Sequence, residues 1–376
     1  MPCLNEADTI GACIRKAQSA LNEHRISGEI IIADNGSTDS SVDIATALGA
    51  QVVRVPSKGY GNALAGGIAA ARGKYVVMGD ADESYDFGEI PNFVAKLREG
   101  FDLVQGCRLS RGGGKVLPGA MPFTHRHVGN PIFSVMARRW FQAQVSDVFC
   151  GLRGFTRRLY DSLDQRSAGM EFATEMIIKA SLKEAKITEI PITLHPDGRK
   201  SHPPHLKTVR DGLRTLRFYL IYSPRWLFLL PGTLMICLGA IGYAFALPGV
   251  SIAGVTFDAH TLLFASLFIL CGYKAIAFAL FTKTFAVKQK LLPPDPQLEW
   301  LFKTISFQTG IAGGAVALAL GIALLLGAIV QWSAAGFGQL DYSHTMRWVV
   351  PGAMFTALGI ETVLASFFLY LLRSTP

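Results

Sequence analysis

The segment Lys74-Tyr-Val-Val-Met-Gly-Asp-Ala-Asp82 passes directly from an apolar, β-branched run into two carboxylates. Such a run is typical of a buried β-strand. Three similar runs occur in the same half of the chain, at residues 29–33, 51–55 and 102–105. Helical patterns separate these runs, at residues 40–48, 62–72 and 89–99. The alternation predicts an α/β domain with a mostly parallel sheet covered on both faces.

Polar and acidic residues follow three of the predicted strands. They are Asp34-Asn-Gly-Ser-Thr-Asp39, Gly79-Asp-Ala-Asp-Glu83 and Gly106-Cys-Arg108. Ligands of open α/β sheets bind beyond the carboxyl ends of the strands, so we expect these groups to meet at one edge. The Asp34 segment alone is equally consistent with a turn and a helix N-cap.

Asp80 and Asp82 indicate a cation site. Two carboxylates one residue apart repel each other unless a cation or strong donors lie between them. A few hard oxygen ligands suit Mg²⁺ or Mn²⁺ whose coordination is completed by phosphate oxygens. The alternative is a pair of solvated turn aspartates.

Charge divides the 376-residue chain into two parts. Residues 1–225 contain 29 Lys and Arg against 23 Asp and Glu, whereas residues 226–376 contain 7 against 5. The chain therefore joins a water-soluble part to a membrane part, which excludes a wholly soluble enzyme, an outer-membrane barrel and a disordered polymer. The net charge of +8 is concentrated just before the first apolar span, which favours a membrane surface and not a nucleic acid as its partner.

The six cysteines show no Cys-x-x-Cys spacing, so we expect reduced packing residues.

Four apolar stretches are long enough to cross a bilayer, at residues 226–247, 261–281, 309–332 and 348–372. Residues 248–260 and 333–346 contain no Lys or Arg, whereas the middle loop contains four lysines. The positive-inside rule places that loop and the N-terminal domain in the cytoplasm, on the cell (inner) membrane.

Two features of the spans predict contacts. Gly310-x-x-x-Gly314 in the third span indicates helix pairing or a homo-oligomer. Lys274 and Glu361 each lie 13 residues into the second and fourth spans, so we expect an ion pair within a subunit or between two. The alternative is that Lys274 extends to the head groups while Glu361 is protonated.

Residues 199–225 read as a basic amphipathic helix in the membrane interface. Leu213, Leu216 and Leu220 recur on one face, and Arg210, Arg214 and Arg217 on another. The helix is expected either to capture a lipid phosphate, with help from Arg199 and Ser201, or only to maintain topology through its charge.

The ordered motifs resemble a family-2 inverting glycosyltransferase of GT-A fold. They are Pro2-Cys-Leu-Asn-Glu6, Asp34 to Asp39, Lys58-Gly-Tyr-Gly-Asn-Ala63 and Asp80-Ala-Asp82. The branch they resemble is the polyprenyl-phosphate glycosyltransferases, which include dolichol-phosphate mannose synthase. The resemblance covers about residues 1–225 and implies three parts. They are a GT-A domain at residues 1–198, the interface helix at 199–225 and four transmembrane helices at 226–376.

The resemblance implies roles for individual residues. The nucleotide-sugar would be bound by Pro2, Leu4, Glu6, Asp34, Asp80, Ala81 and Asp82, with Asp82 and Asp80 holding the metal. Arg108 and Asp147, the latter in Ser146-Asp-Val-Phe-Cys-Gly-Leu-Arg-Gly154, would be catalytic. Arg199 and Ser201 match an arginine-serine loop near the membrane. The roles of Glu171 and Glu175 are open, helix-end charge compensation being one reading.

Two departures from the family pattern stand out. Ser84 replaces a glutamine that helps to hold metal in several relatives, so Glu83 or Asp86 is expected to substitute. The sequence begins at the Pro2 motif, so we expect a truncated first strand.

The implied reaction transfers a hexose from a UDP- or GDP-sugar to a polyprenyl phosphate, with inversion. Two alternatives remain at this point. One is a transferase acting on another lipid or glycan, although the Gln-x-x-Arg-Trp motif of processive synthases is absent from the sequence. The other is a non-enzymatic membrane protein with a decayed transferase domain.

Overall fold

The computed structural model describes residues 1–200, 208–252, 254–289, 292, 294–304 and 306–374. The chain divides into two compact units, Met1–Tyr219 and Leu220–Pro376. The first is an α/β unit and the second consists mainly of long helices.

The first unit alternates short strands with helices, as the apolar pattern predicts. Its strands are β1 (Pro2–Cys3), β2 (Ile31–Asp34), β3 (Gln51–Arg54), β4 (Tyr75–Met78), β5 (Leu103–Cys107), β6 (Lys115–Val116), β7 (Arg153–Thr156), β8 (Ile187–Pro191) and β9 (Thr193–Leu194). Its helices are α1 (Ile10–Glu23), α2 (Ser41–Ala47), α3 (Tyr60–Ala70), α4 (Ile90–Arg98), α5 (Asn130–Phe141), α6 (Arg157–Leu163) and α7 (Glu171–Leu182). Helix α8 (Thr208–Tyr222) follows and continues into the second unit.

The strands form two main sheets. The first has the order β1-β2-β3 and is parallel throughout. The second has the order β4-β7-β5-β8, in which β7 runs antiparallel to both of its neighbours and β5 is parallel to β8. The predicted sheet is therefore confirmed as mostly parallel, but it is divided in two and contains one reversed strand.

Amphipathic helices cover these sheets. Ile10, Cys13, Ile14 and Ala17 recur at helical spacing on α1 and are all buried, because one face of the helix packs on the sheet. Helix α4 buries Phe93, Val94 and Leu97 in the same way. The helices therefore pack against the strands whose carboxyl ends carry the polar residues.

A cavity of about 510 Å³ lies between β2 and β4, and we call it the inter-sheet cavity. Ile31 and Ala33 line it from β2, and Tyr75 and Val77 from β4. Strand β4 pairs with β7 alone among the described strands, and β2 pairs with β1 only at Ala33 and Asp34. Two incompletely paired strand edges therefore face this cavity, next to a first strand of two residues.

Within its described residues the second unit contains four helices long and apolar enough to span a membrane, which confirms the four predicted spans. They cover Arg225–Ala246, Ala259–Lys288, Phe307–Ala334 and Tyr342–Ser374. The regular part of the first is α9 (Leu230–Ala246), and the others are α10 (Ala259–Lys288), α12 (Phe307–Ala334) and α13 (Tyr342–Ser374). A short α11 (Pro296–Thr304) precedes α12, and β10 (Ser251–Ile252) pairs with β11 (Val255–Thr256) between α9 and α10.

Small residues bring the last two spans together. A Cβ atom built on Gly314 would lie 2.9 Å from the carbonyl oxygen of Gly359, and one on Gly321 would lie 2.8 Å from that of Gly352. The expected helix pairing therefore occurs within the chain, between α12 and α13. The homo-oligomer remains a prediction.

Polar contacts join the second and fourth spans. Lys274 Nζ lies 3.0 Å from Glu361 Oε1, which confirms the predicted ion pair and places it within one chain. Directly beside it, the Tyr273 hydroxyl donates to Thr362 Oγ1 at 2.8 Å. Glu361 Oε2 is buried and has no hydrogen-bond partner within the described part of the chain.

Candidate active site

Asp82 lies just beyond β4 and both of its carboxylate oxygens have donors. Oδ1 accepts from the backbone N–H of Ser84 at 3.0 Å and from its hydroxyl at 2.6 Å. Oδ2 lies 3.2 Å from Nη1 of Arg199. Ser84, at the departure from the family pattern, therefore orients Asp82.

Arg199 links this carboxylate to the N-terminal loop. Its Nη2 and Nε donate to the carboxylate of Glu6 at 2.7 and 2.9 Å, and Asp197 Oδ2 lies 3.9 Å from Nη1. The three acids surround one guanidinium, and Glu6 and Arg199 are both largely buried. This cluster brings together two predicted nucleotide-site residues, Glu6 and Asp82, and one predicted lipid-site residue, Arg199. Arg199 lies 193 positions after Glu6 in the sequence.

Asp80 is partly exposed and contacts a different donor. Its Oδ1 accepts from the Tyr60 hydroxyl at 2.8 Å. Burial, and then the negative charge of Asp82, raises the pKa of Asp80 from 3.8 to about 6, while Arg199 and Arg108 act in the opposite direction. A carboxylate whose charge is disfavoured in this way attracts a cation.

Arg108 and Asp147 form a buried bidentate pair. Nε and Nη2 of Arg108 donate to the two carboxylate oxygens at 2.7 and 2.9 Å, and the Arg108 backbone N–H donates to Oδ2 at 3.0 Å. The remaining Nη1 faces the Tyr85 hydroxyl at 3.4 Å. Glu189 accepts from the backbone N–H groups of Ser146 and Asp147, and burial raises the pKa of Glu189.

The other predicted nucleotide-site residues have contacts of different kinds. Asp34 ends β2, and its carboxylate accepts from the N–H groups of Gly36 and Ser37, as in a turn. Pro2 lies in β1 and lines the inter-sheet cavity. Ala81 is buried in the core, and Leu4 is partly exposed after β1.

Glu83 and Asp86 differ in how they could assist a metal. Asp86 accepts from the N–H of Gly88, so its carboxylate caps a short helical turn. Glu83 has φ +64°, and its Oε2 would lie 2.4 Å from a Cβ atom on Gly198. Glu83 is therefore adjacent to the segment that carries Arg199.

The described part of the lipid-site prediction lies on the surface. Arg210, Arg214 and Arg217 are exposed along α8, and Ser201 lies outside the described residues. Among the α8 residues whose burial is described, Thr215 and Tyr219 are buried, whereas Leu213 is 62% exposed. Tyr219 packs among Phe133, Trp140 and Phe141 of α5, and the predicted apolar stripe on α8 stays a prediction.

Asp80 and Asp82 fit a divalent cation shared with phosphate. Among the described residues there is no group of three or more His, Cys, Asp or Glu side chains that could bind a metal ion alone. Mg²⁺ and Mn²⁺ commonly use one or two carboxylates together with substrate phosphates. In the structure Arg199 supplies the positive charge beside Asp82.

Two parts of the chain match models of known protein families. Residues 1–164 match the glycosyl transferase family 2 model, and residues 280–373 match the family 2 C-terminal transmembrane region. A low-salt glycan biosynthesis hexosyltransferase, Agl6, of Haloferax volcanii is 36% identical over 370 residues, which cover 98% of this chain and 87% of the relative. The chain belongs to glycosyltransferase family 2.

This membership confirms the glycosyltransferase prediction and the GT-A domain followed by four membrane helices. It also counts against the non-enzymatic alternative. A dolichyl-phosphate hexose transferase of the same organism is 28% identical, covering 51% of this chain and 79% of the relative. A glucosyl-3-phosphoglycerate synthase from Mycobacterium tuberculosis, solved with Mn²⁺, UDP and glucosyl-3-phosphoglycerate, is 25% identical. Its TM-score is 0.46, and the match covers 58% of this chain and 76% of that one.

Two aromatic residues of the family 2 site have no role in the sequence prediction. Tyr60 and Tyr85 approach Asp80 and Arg108 through their hydroxyl groups. Tyr60 stands in a motif used for the family resemblance, and Tyr85 directly follows Ser84. Their positions within or next to these motifs were the only sequence signal for a role in the site. The direction of each side chain depends on tertiary packing and could not be predicted.

Proposed function

We propose that this glycosyltransferase transfers a hexose from a UDP- or GDP-sugar to a polyprenyl phosphate at the cytoplasmic membrane face, with inversion. The observation that carries the proposal is the Glu6–Arg199–Asp82 cluster. It joins the expected donor site to the segment that leads into the basic helix α8. A donor and a membrane-borne acceptor would therefore meet at one group of residues.

The donor diphosphate would lie against Asp80 and Asp82. A divalent cation held by these carboxylates would stabilise negative charge on the departing nucleoside diphosphate. Glu6 holds Arg199 in place beside Asp82, and Arg108 lies near enough to lower the pKa of Asp80. Arg199 and Arg108 would place positive charge beside the diphosphate while they stay paired with Glu6 and Asp147.

Asp147 is better suited to orienting Arg108 than to accepting a proton. Both of its oxygens accept hydrogen bonds from Arg108, and the carboxylate is fully buried. A phosphate monoester has a second pKa of about 6 and is largely ionised at neutral pH. Its oxygen can therefore attack the anomeric carbon without a strong general base, and one displacement inverts that carbon.

The acceptor side is supported by exposed apolar and basic residues. Arg210, Arg214 and Arg217 lie along α8, where they would attract a lipid phosphate. Near α5, Phe123 is 73% exposed and Ile132 is 51% exposed, as expected for side chains that enter the head-group region. Together with the four membrane helices, these residues support a lipid acceptor.

The test is a product assay with the full chain in membranes. Membranes would be incubated with labelled UDP- or GDP-sugars, a divalent cation and polyprenyl phosphate. The lipid product would be identified by mass spectrometry and its anomeric configuration by NMR. A polyprenyl-phosphate-sugar of inverted configuration supports the proposal. Diacylglycerol and a glycan acceptor form parallel arms, and transfer only to one of them would contradict it.

A further inference from the structure

Tyr60 contacts the donor-site carboxylates although no role has been assigned to it. Its hydroxyl donates to Asp80 Oδ1 at 2.8 Å. A hydrogen bond to an ionised carboxylate is short, directional and stronger than a neutral one. It restricts rotation of the carboxyl group and leaves Oδ2 as the oxygen without a contact from Tyr60.

Two glycines aim Tyr60 at this position. Gly59 has φ +133°, which side chains other than glycine rarely adopt, and its N–H donates to Asn35 Oδ1 at 2.8 Å. On the other side of Tyr60, the Gly61 N–H donates to the carbonyl oxygen of Ala168 at 2.9 Å. The Tyr60 backbone is therefore held from two directions.

The segment from Arg166 to Ala168 packs too closely on this turn to admit side chains. A Cβ atom on Gly59 would lie 2.3 Å from the Ala168 carbonyl oxygen, and one on Gly61 would lie 2.2 Å from that of Ser167. The position of Tyr60 thus depends on where this segment lies.

Glu175 on α7 holds that segment. Its carboxylate accepts from the Ser167 N–H at 2.8 Å and the Arg166 N–H at 3.2 Å. It also pairs with Lys179 Nζ at 2.6 Å, and its side chain is only 1% exposed. A buried ion pair is weak evidence for stability, so the hydrogen bonds to the 166–168 segment are the better guide to what Glu175 does.

We infer that Tyr60 is a positioning residue that orients Asp80 for the donor diphosphate, and that Glu175 positions Tyr60 through the 166–168 segment. The inference rests on the proposed function and adds two residues to its donor site. It also gives Glu175 a role distinct from helix-end charge compensation.

The decisive variant is Tyr60→Phe in the full chain, which removes one hydroxyl and keeps the ring. The dissociation constants of UDP and GDP would be measured by calorimetry with Mn²⁺. We expect a rise of roughly tenfold for the nucleotide that binds, as expected from losing a hydrogen bond to a charged group. The KM for nucleotide-sugar should rise in parallel, and the KM for polyprenyl phosphate should not change.

Tyr160→Phe is the matched control, since it removes the same atom from a ring stacked on Phe155. Both variants should melt at the same temperature. Unaltered nucleotide binding by Tyr60→Phe would overturn the inference. If the unmodified chain binds neither UDP nor GDP with Mn²⁺, the proposed function fails and this inference fails with it.

The role of Glu175 is tested with two double variants. Each removes the buried charges of both Glu175 and Lys179. Glu175→Gln with Lys179→Met retains an oxygen for the two backbone N–H groups, whereas Glu175→Leu with Lys179→Met does not. We expect near-normal nucleotide binding in the first and a rise in Kd similar to that of Tyr60→Phe in the second. Adding Tyr60→Phe to the second should cost little more, because both changes act through the same contact. Equal binding by the two double variants would contradict the role of Glu175.

Discussion

At the residue scale, Asp82 and Asp39 make a matched pair for testing the metal site. Asp82 faces Arg199 in the charged cluster, whereas Asp39 accepts from the N–H groups of Ala7 and Ser41, as a structural turn residue does. Asp82→Asn should lower kcat/KM by about 100-fold or more, because it removes the negative charge that would hold the metal beside the diphosphate. Asp39→Asn should change kcat/KM by less than about threefold, since asparagine is an equally good cap.

The measurement is initial-rate kinetics over a range of Mg²⁺ and Mn²⁺ concentrations. Excess EDTA should abolish the activity of the unmodified chain, and added Mn²⁺ should restore it. Full activity of Asp82→Asn in EDTA would remove the metal assignment.

The raised pKa of Asp80 has a consequence for stability. The folded-state pKa of about 6 exceeds the ordinary value of 3.8, so the folded protein binds this proton more tightly than the unfolded chain does. The stabilising contribution of Asp80 is therefore present at low pH and is lost as the pH rises through about 6. We expect Asp80→Asn to raise the melting temperature of the metal-free protein at pH 7, where asparagine avoids the buried charge.

The comparison is a series of thermal melts in EDTA from pH 5 to 7. The difference between the unmodified chain and Asp80→Asn should grow with pH, and the exposed-site control Asp43→Asn should show no such trend. A difference that is constant over this range would argue against the raised pKa.

At the element scale, α8 carries the prediction for the acceptor. Changing Arg210, Arg214 and Arg217 together to Gln should raise the KM for polyprenyl phosphate by about 10- to 100-fold, given about 1 kcal/mol for each cation near an anionic surface. The KM for nucleotide-sugar should stay nearly constant, because that site is formed by other elements. Both constants are measured with the enzyme in anionic vesicles.

A triple variant of Lys16, Arg25 and Arg98 to Gln is the control. It removes the same charge from exposed positions on α1, on the turn after it and on α4. Equal weakening of both substrates in the α8 variant, or equal effects of the two triple variants, would exclude a specific lipid-phosphate role for α8.

The α10–α13 contact predicts non-additive effects on stability. Lys274→Met and Glu361→Gln should each lower the melting temperature in detergent, because each leaves one polar group without its partner at a depth poor in water. The double variant should recover about half of the loss, since it removes both charges together. Strictly additive losses would show that the contact at 3.0 Å contributes nothing.

Strands could be predicted from the sequence where a local run of residues defines them. The predicted strand at 74–78 and the observed Tyr75–Met78 agree because a short β-branched run ends in glycine and aspartate. Strand β7, Arg153–Thr156, was not predicted: it contains one large apolar residue, and its place between β4 and β5 depends on pairing with distant segments.

At the scale of the whole molecule, the site was predictable only in part. The carboxyl-end rule for parallel strands led us to expect Arg108 close to the aspartates that follow β4, and Arg108 does lie near enough to Asp80 to lower its pKa. The rule could not reveal that Arg199 pairs with Glu6 and Asp82, because that contact joins the two ends of the first unit. The hydropathy and charge patterns did predict the membrane unit and the Lys274–Glu361 contact, since hydropathy and helical rise are local properties.

The division of the strands into two sheets predicts that the first unit opens in two cooperative parts. Among the described strands, the β1-β2-β3 and β4-β7-β5-β8 sheets share no ladder, so each is expected to fluctuate as its own unit. In amide hydrogen exchange, the Tyr75–Met78 segment should exchange faster than Leu103–Cys107, which is paired on both sides. Glu6 and Asp34 belong to the first part and Asp80 and Asp82 to the second, so a bound nucleotide-sugar would clamp the two together. Donor binding should therefore slow exchange along β4, and unchanged exchange with saturating donor would show that the two parts already move as one.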